Sequence, residues 1–130
     1  MDHVDIVRRA YERFNEKDFD GALDRFDEGI ELSDTLQPGR VVAGREAVRE
    51  MWLTRFGQAA AHFLVDELVE IDDAVLASVR FQSYTEHGAS FGHEVGAVYR
   101  FIFRDDLVVR LEVRTIGEVP ATVRSLFGVS

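Results

Sequence analysis

Between Val4 and Phe14 the apolar residues Val4, Val7, Ala10, Tyr11 and Phe14 recur at helical spacing, opposite a face of Asp5, Arg9, Glu12 and Arg13. This predicts an amphipathic first helix. After a break at "NEKD", Phe19, Ala22, Leu23 and Phe26 continue the period and predict a short second helix that ends near Gly29. "IELSD" then alternates strictly, which sets Ile30, Leu32 and Asp34 on one face of a strand before "TLQPGR" turns the chain. Val41 and Val42 allow a small strand, and "GREAVREMWLTRF" returns to helical period with Val48, Met51, Trp52 and Phe56 along one stripe. From His62 onward the period is that of strands. "HFLVDELVEI", "AVLASVRFQSYT", "HEVGAVYRFIF" and "LVVRLEVRTI" are four long runs with Asp-Asp turns at 72–73 and 105–106, an antiparallel meander. "PATVRSLFG" has proline at a first helical position and glycine after its last apolar residue, and predicts a short C-terminal helix.

A chain of 130 residues suits one compact domain over 1–130. With 46% apolar and 30% charged residues and no low-complexity stretch it reads as ordinarily globular. The start "MDHVDIVRR" lacks the basic and apolar regions of a signal peptide, and no run approaches a bilayer span, so a soluble cytoplasmic protein with no membrane partner is expected. The absence of cysteine removes disulfides, thiol nucleophiles and cysteine-based metal sites. A formal charge of −9 argues against nucleic acid as a partner, since such binding starts from clustered cations. His3, His62, His87 and His93 lack an H-x-x-x-H pair and no phosphate-cradling glycine motif is present, so neither a metal nor a cofactor is expected.

"GASFG" at 88–92 satisfies the G-x-S-x-G pattern of a hydrolase nucleophile elbow centred on Ser90. The elbow needs a strand, a sharp turn and then a helix. Here the following residues are β-branched and aromatic, which makes Ser90 a hairpin residue between two strands.

"AYERFNEKDFDGALDRFDEGIELSD" resembles the opening of SnoaL-like proteins, in which a helix runs into an N-x-x-D-x-D/E turn and then a strand ending in an acidic residue. "GREAVREMW" and "FRDDLVVRLEVRT" resemble the third helix and last hairpin of that family. The resemblance covers almost the whole chain. It implies the cone-shaped α+β barrel shared with nuclear transport factor 2, ketosteroid isomerase, scytalone dehydratase, limonene epoxide hydrolase and polyketide cyclases, a cystatin-like topology with a curved antiparallel sheet wrapped around N-terminal helices. The fold hosts many functions. Counted from "NEKDFDG", Asp34 falls where ketosteroid isomerase has its general-base aspartate, an enzyme that is a standard illustration of paired acid and base carboxylates. The isomerase's oxyanion acid falls near Tyr99 and its oxyanion tyrosine on Ala10, one residue before Tyr11.

On such a fold the concave face of the sheet forms a pocket. Strand parity places His93, Val95, Ala97, Tyr99, Phe101 and Phe103 on it, with Leu107, Val109, Leu111, Val113 and Thr115 from the last strand. Phe14, Phe26 and Trp52 close it from the helical side. The ligand contacts expected are Phe14, Phe26, Trp52, Phe101, Val113 and Thr115, and the ligand is a small hydrophobic molecule with a carbonyl or hydroxyl. Asp34 reads either as a base whose pKa an apolar pocket raises from about 3.9, or as a turn aspartate capping the backbone of "TLQPG". Tyr99 or His93 reads as the hydrogen-bond donor to a developing enolate, or as a core aromatic and an exposed histidine respectively. The implied activity is a cofactor-free isomerase, cyclase or dehydratase. The alternative is a non-catalytic ligand-binding or dimerisation module. The outer sheet face, where Val98 and Ile102 alternate with Arg100 and Arg104, has the mixed character of a homodimer interface, the assembly the family also implies.

Overall fold

The computed structural model describes residues 2–34, 39–57, 61–84 and 90–115. Its first helix, α1 (His3–Asn15), starts where the Asp2 side chain accepts a hydrogen bond from the Val4 N–H at 2.8 Å. That bond satisfies a backbone donor with no partner inside the helix. The helix stops at Lys17, whose φ of 65° lies in the left-handed region, and it buries Ile6, Val7, Tyr11 and Phe14. The second helix, α2 (Phe19–Ala22), is a single turn. It is shorter than its apolar period predicts, because Phe26 belongs to the strand β1 (Phe26–Ser33), not to a helix. Phe26, Ile30 and Leu32 are the buried residues of that strand.

A short strand β2 (Val41–Ala43) leads through Gly44 into α3 (Arg45–Phe56), and then come β3 (Ala61–Ile71), β4 (Ala74–Tyr84), β5 (Ser90–Arg104) and β6 (Leu107–Thr115). Gly44 holds φ at 98°, a conformation that favours glycine, while its N–H bonds the Ile30 carbonyl at 2.8 Å. Asp72 and Asp105, each with φ 56°, make the two predicted hairpin turns. The predicted C-terminal helix lies outside the described residues.

The six strands form one sheet in the order β2-β1-β6-β5-β4-β3. The meander is antiparallel as predicted, but the first strand joins its far side by a parallel pairing with the last, with Phe26 opposite Val108 and Leu32 opposite Leu111. The concave face carries Val75, Ala77 and Val79 of β4 and Ala97, Tyr99, Phe101 and Phe103 of β5, all buried. Parity in β6 departs from strict alternation. The register with β5 shifts between Ile102 and Phe103, so that Phe103 faces Val108 and Ile102 faces Arg110. This bulge turns Val108 and Leu111 inward and leaves Leu107 exposed, so Leu107 and Val109 do not share the buried face as alternation predicts.

At the other edge of the sheet, Asn15 closes on β3. Its amide nitrogen donates to the Phe63 carbonyl and its amide oxygen accepts from the Phe63 N–H, each at 2.8 Å. A side chain thus supplies the pairing that a neighbouring strand would have supplied. The joint of the N-terminal helices, the inner face of the sheet and α3 share one core, rich in aromatic rings.

Candidate functional site

Where α1, α3, β1 and the concave face of the sheet meet, the core leaves a cavity of about 80 Å³. Its apolar wall includes Phe14, Phe26, Trp52, Phe63, Phe101 and Leu111. The rings meet edge to face, Phe14 against Trp52 at 5.1 Å and Tyr11 against Phe63 at 5.4 Å, an arrangement that suits their charge distribution. An apolar cavity of about 150 Å³ holds benzene, so a ring-sized ligand requires side chains to yield. Met51 and Phe56, half-buried on the α3 wall, are placed to do so.

One end of the cavity is polar. Asp34, the residue after β1, has its side chain fully buried, and its N–H donates to the Arg40 carbonyl at 2.9 Å, extending the β1–β2 pairing by one step. Its carboxylate points to α3. Arg55 Nη1 donates to Oδ1 at 2.7 Å and Nη2 to Oδ2 at 2.8 Å, a bidentate fork, while Arg40 brings a second guanidinium to 3.4 Å from Oδ2. Charge-assisted pairs of this geometry are strong and directional. The Arg55 side chain is only 9% exposed. The prediction that an apolar pocket alone governs Asp34 therefore omits its partner: desolvation favours the neutral acid, but a guanidinium at hydrogen-bond distance favours the ionised form.

Ser33 and two phenols add to the polar part of the wall. Tyr11 and Tyr99 both line the cavity and both are buried. Burial first, and then the neighbouring Tyr99, push the Tyr11 phenol well above its usual range, so it stays protonated at neutral pH as a hydrogen-bond donor.

Of the residues singled out from sequence, Asp34, Tyr99, Phe14, Phe26, Trp52 and Phe101 stand together on the cavity wall. Phe26 reaches it from β1, not from a helix. Val113 does not line it: the half-buried side chain packs against the core instead. His93 and Thr115 sit on β5 and β6, but their side chains lie outside the described residues. Ser90 is the first residue of β5, opposite Tyr84, and fourteen further strand residues follow it through Arg104, where a nucleophile elbow would need a helix. Sequence reasoning missed Arg55. The signal was present, since 48, 51, 52 and 55 follow the i, i+3, i+4, i+7 rule, which puts a guanidinium on the apolar stripe of α3. Among the described residues no group of three or more His, Cys, Asp or Glu side chains could hold a metal ion, and no helix is long and apolar enough to cross a membrane.

A six-stranded sheet curved over helices, with a cavity at its concave face, defines the nuclear-transport-factor-2-like class with a cystatin fold. An NTF2-like protein of unknown function from Burkholderia pseudomallei K96243 superposes with a TM-score of 0.74 at 19% identity, over 98% of each chain. A candidate polyketide cyclase from Sinorhizobium meliloti gives 0.71 at 21% identity, over 85% of this chain and 94% of that one. A candidate SnoaL-like polyketide cyclase from Jannaschia sp. CCS1 gives 0.72 at 16% identity, over 88% and 85%. At these identities the likeness is one of fold. The chain belongs to the SnoaL-like domain family, whose model matches residues 7–111. No curated protein matches it in sequence.

Proposed function

We propose that the protein binds a small, largely apolar molecule bearing a carbonyl or hydroxyl and acts on it by cofactor-free proton transfer, as an isomerase, cyclase or dehydratase does. Asp34 is the base, Arg55 holds it ionised and oriented, and Tyr99 donates a hydrogen bond to the oxygen on which charge develops. The observation that carries this reading is a fully buried carboxylate kept at the wall of a largely apolar cavity. Buried ion pairs seldom add net stability, because desolvation offsets the attraction, so a use at the site accounts better for its presence. The names of the structural neighbours from Sinorhizobium meliloti and Jannaschia point to the same chemistry by analogy of fold alone. Tyr99 is given the donor role because it stands on the cavity wall.

A second reading, a binding or association module, draws support from the Arg55 fork, which engages both carboxylate oxygens and lowers the readiness of Asp34 to take a proton. The two readings part in a test that needs no known substrate. A panel of cyclic and aryl ketones is incubated with the protein in D2O, and deuterium at the carbon next to the carbonyl is followed by NMR. The proton-transfer reading expects exchange with at least one ketone, and a loss of at least about a hundredfold in Asp34→Asn with ligand binding retained. Equal exchange by the native protein and Asp34→Asn would leave only the binding module. In either case we propose a homodimer through the outer face of the meander, where Val98 and Ile102 are half-buried between the exposed Arg100 and Arg104.

A further inference from the structure

We propose that the ligand carries a carboxylate, taken up by the N–H groups of Arg55 that Asp34 leaves unused and by the Tyr11 hydroxyl. This rests on the reading that the cavity takes a small molecule, and it narrows the ligand class to monocarboxylates with an apolar body, such as small keto or hydroxy acids.

Two residues of the cavity wall, Arg55 and Tyr11, carry N–H or O–H donors beyond those that Asp34 engages. Arg55 engages Asp34 through one N–H of each terminal nitrogen, which leaves the second N–H of each and the Nε–H. Among the described residues these have no acceptor, although the side chain is nine-tenths buried and lines the cavity. The Tyr11 hydroxyl, in a residue 7% exposed and also on the wall, donates to no described residue. A ligand that brings acceptors to these donors replaces their contact with water by direct, charge-assisted hydrogen bonds. A carboxylate offers two oxygens in the plane that suits a guanidinium edge. A ketone offers one oxygen and leaves more donors unfilled.

The guanidinium of Arg55 on the wall also disfavours an ammonium, which brings donors and a like charge where acceptors are needed. The cavity of about 80 Å³ likewise favours a compact planar head.

Trp52 lines the cavity and is the only tryptophan of the chain, so its emission reports occupancy directly. The experiment titrates the full chain with benzoate, its neutral isostere benzamide, benzylamine and phenyl phosphate, by Trp52 fluorescence and calorimetry. Benzoate is expected to bind at least about tenfold more tightly than benzamide and the others, the span a charge-assisted hydrogen bond provides. Tyr11→Phe is expected to weaken benzoate about tenfold while leaving the melting temperature close to native. Arg55→Lys, which keeps the charge without the fork, is expected to abolish the preference over benzamide; if it does not fold, Tyr11→Phe decides. Equal affinity for benzoate and benzamide, a preference for the amine or the phosphate, no binding of any probe, or unchanged benzoate affinity in Tyr11→Phe would each overturn the proposal. Its failure is separable from that of proton transfer. Carboxylates that bind without any ketone exchange leave this inference standing, and exchange without a carboxylate preference leaves only the proton-transfer reading.

Discussion

Replacing Arg55 with leucine leaves the Asp34 carboxylate, fully buried, with Arg40 at 3.4 Å as the remaining guanidinium named beside it. Removing one member of a buried ion pair costs about 3–5 kcal/mol, most of it the penalty of a buried charge without its partner. Arg40 is half exposed and reaches Oδ2 at 3.4 Å, so it offsets part of that cost and sets the expectation near the lower end, about 3 kcal/mol. With an unfolding entropy of about 2.1 cal/mol/K per residue, the 130-residue chain loses about 11 °C in melting temperature. The double variant Asp34→Leu/Arg55→Leu removes both charges and fills their space with apolar groups. It should return to within about 1 kcal/mol of native, or about 4 °C, because such replacements of buried pairs are often neutral. Differential scanning calorimetry of the native protein, both single variants and the double variant gives the coupling. If Arg55→Leu melts within about 4 °C of native, or if the double variant loses as much as the two singles together, the fork is not the desolvated pair its geometry describes.

Three further outcomes are expected. The Tyr11 phenol is held protonated well above 10.0 in the folded state, so the folded chain keeps a proton that the unfolded chain gives up. The stability this contributes is fully present below about pH 10 and is lost as pH rises towards the folded value, so urea midpoints should fall above about pH 10, and fall less in Tyr11→Phe. Asn15→Ala removes both hydrogen bonds to Phe63 and leaves a part-buried N–H and carbonyl unpaired on β3, at a cost of about 1–3 kcal/mol in urea unfolding; a loss under about 0.5 kcal/mol would show that water replaces the amide. Ile102→Asp places a charge in the middle of the proposed dimer face, and light scattering should then report the monomer mass of 14.7 kDa, whereas a native protein already at that mass would sink the dimer.

The elements that could be read from sequence were those whose burial is one-sided. In α1, Val7, Tyr11 and Phe14 recur at helical period because the helix lies on a core with its other face in solvent, and in β5 alternation from Ala97 to Phe103 tracks burial for the same reason. The readings failed where geometry departs from its period with no residue to mark it. Nothing in "LVVRLEV" distinguishes the bulge that turns Val108 inward from an unbroken strand. Phe26 satisfies a helical period with Leu23 and an alternating one with Ile30, and tertiary pairing with Val108 decides between them. Asp34 was legible as a polar residue on an apolar face. Its partner was harder to see, because an arginine on an exposed helix and one aimed into a core differ in sequence only by phase.

The parallel pairing of β1 with β6 ties the assembly of the cavity to the two regions of the chain that are farthest apart among the strands. The hairpins β3–β4 and β5–β6 close through tight turns and need only near neighbours, but β1 docks beside β6 only when some eighty intervening residues are already arranged. Asp34 lies at the end of β1, and Phe101 and Leu111 at the opposite wall belong to the later strands, so the polar end and the apolar wall meet in that one long-range event. A nascent chain released before β6 has emerged holds the aspartate and the arginine without the wall that makes them a site. Binding competence therefore arrives at the end of folding, and a ligand added during refolding should bind only after the slow phase in which β1 docks.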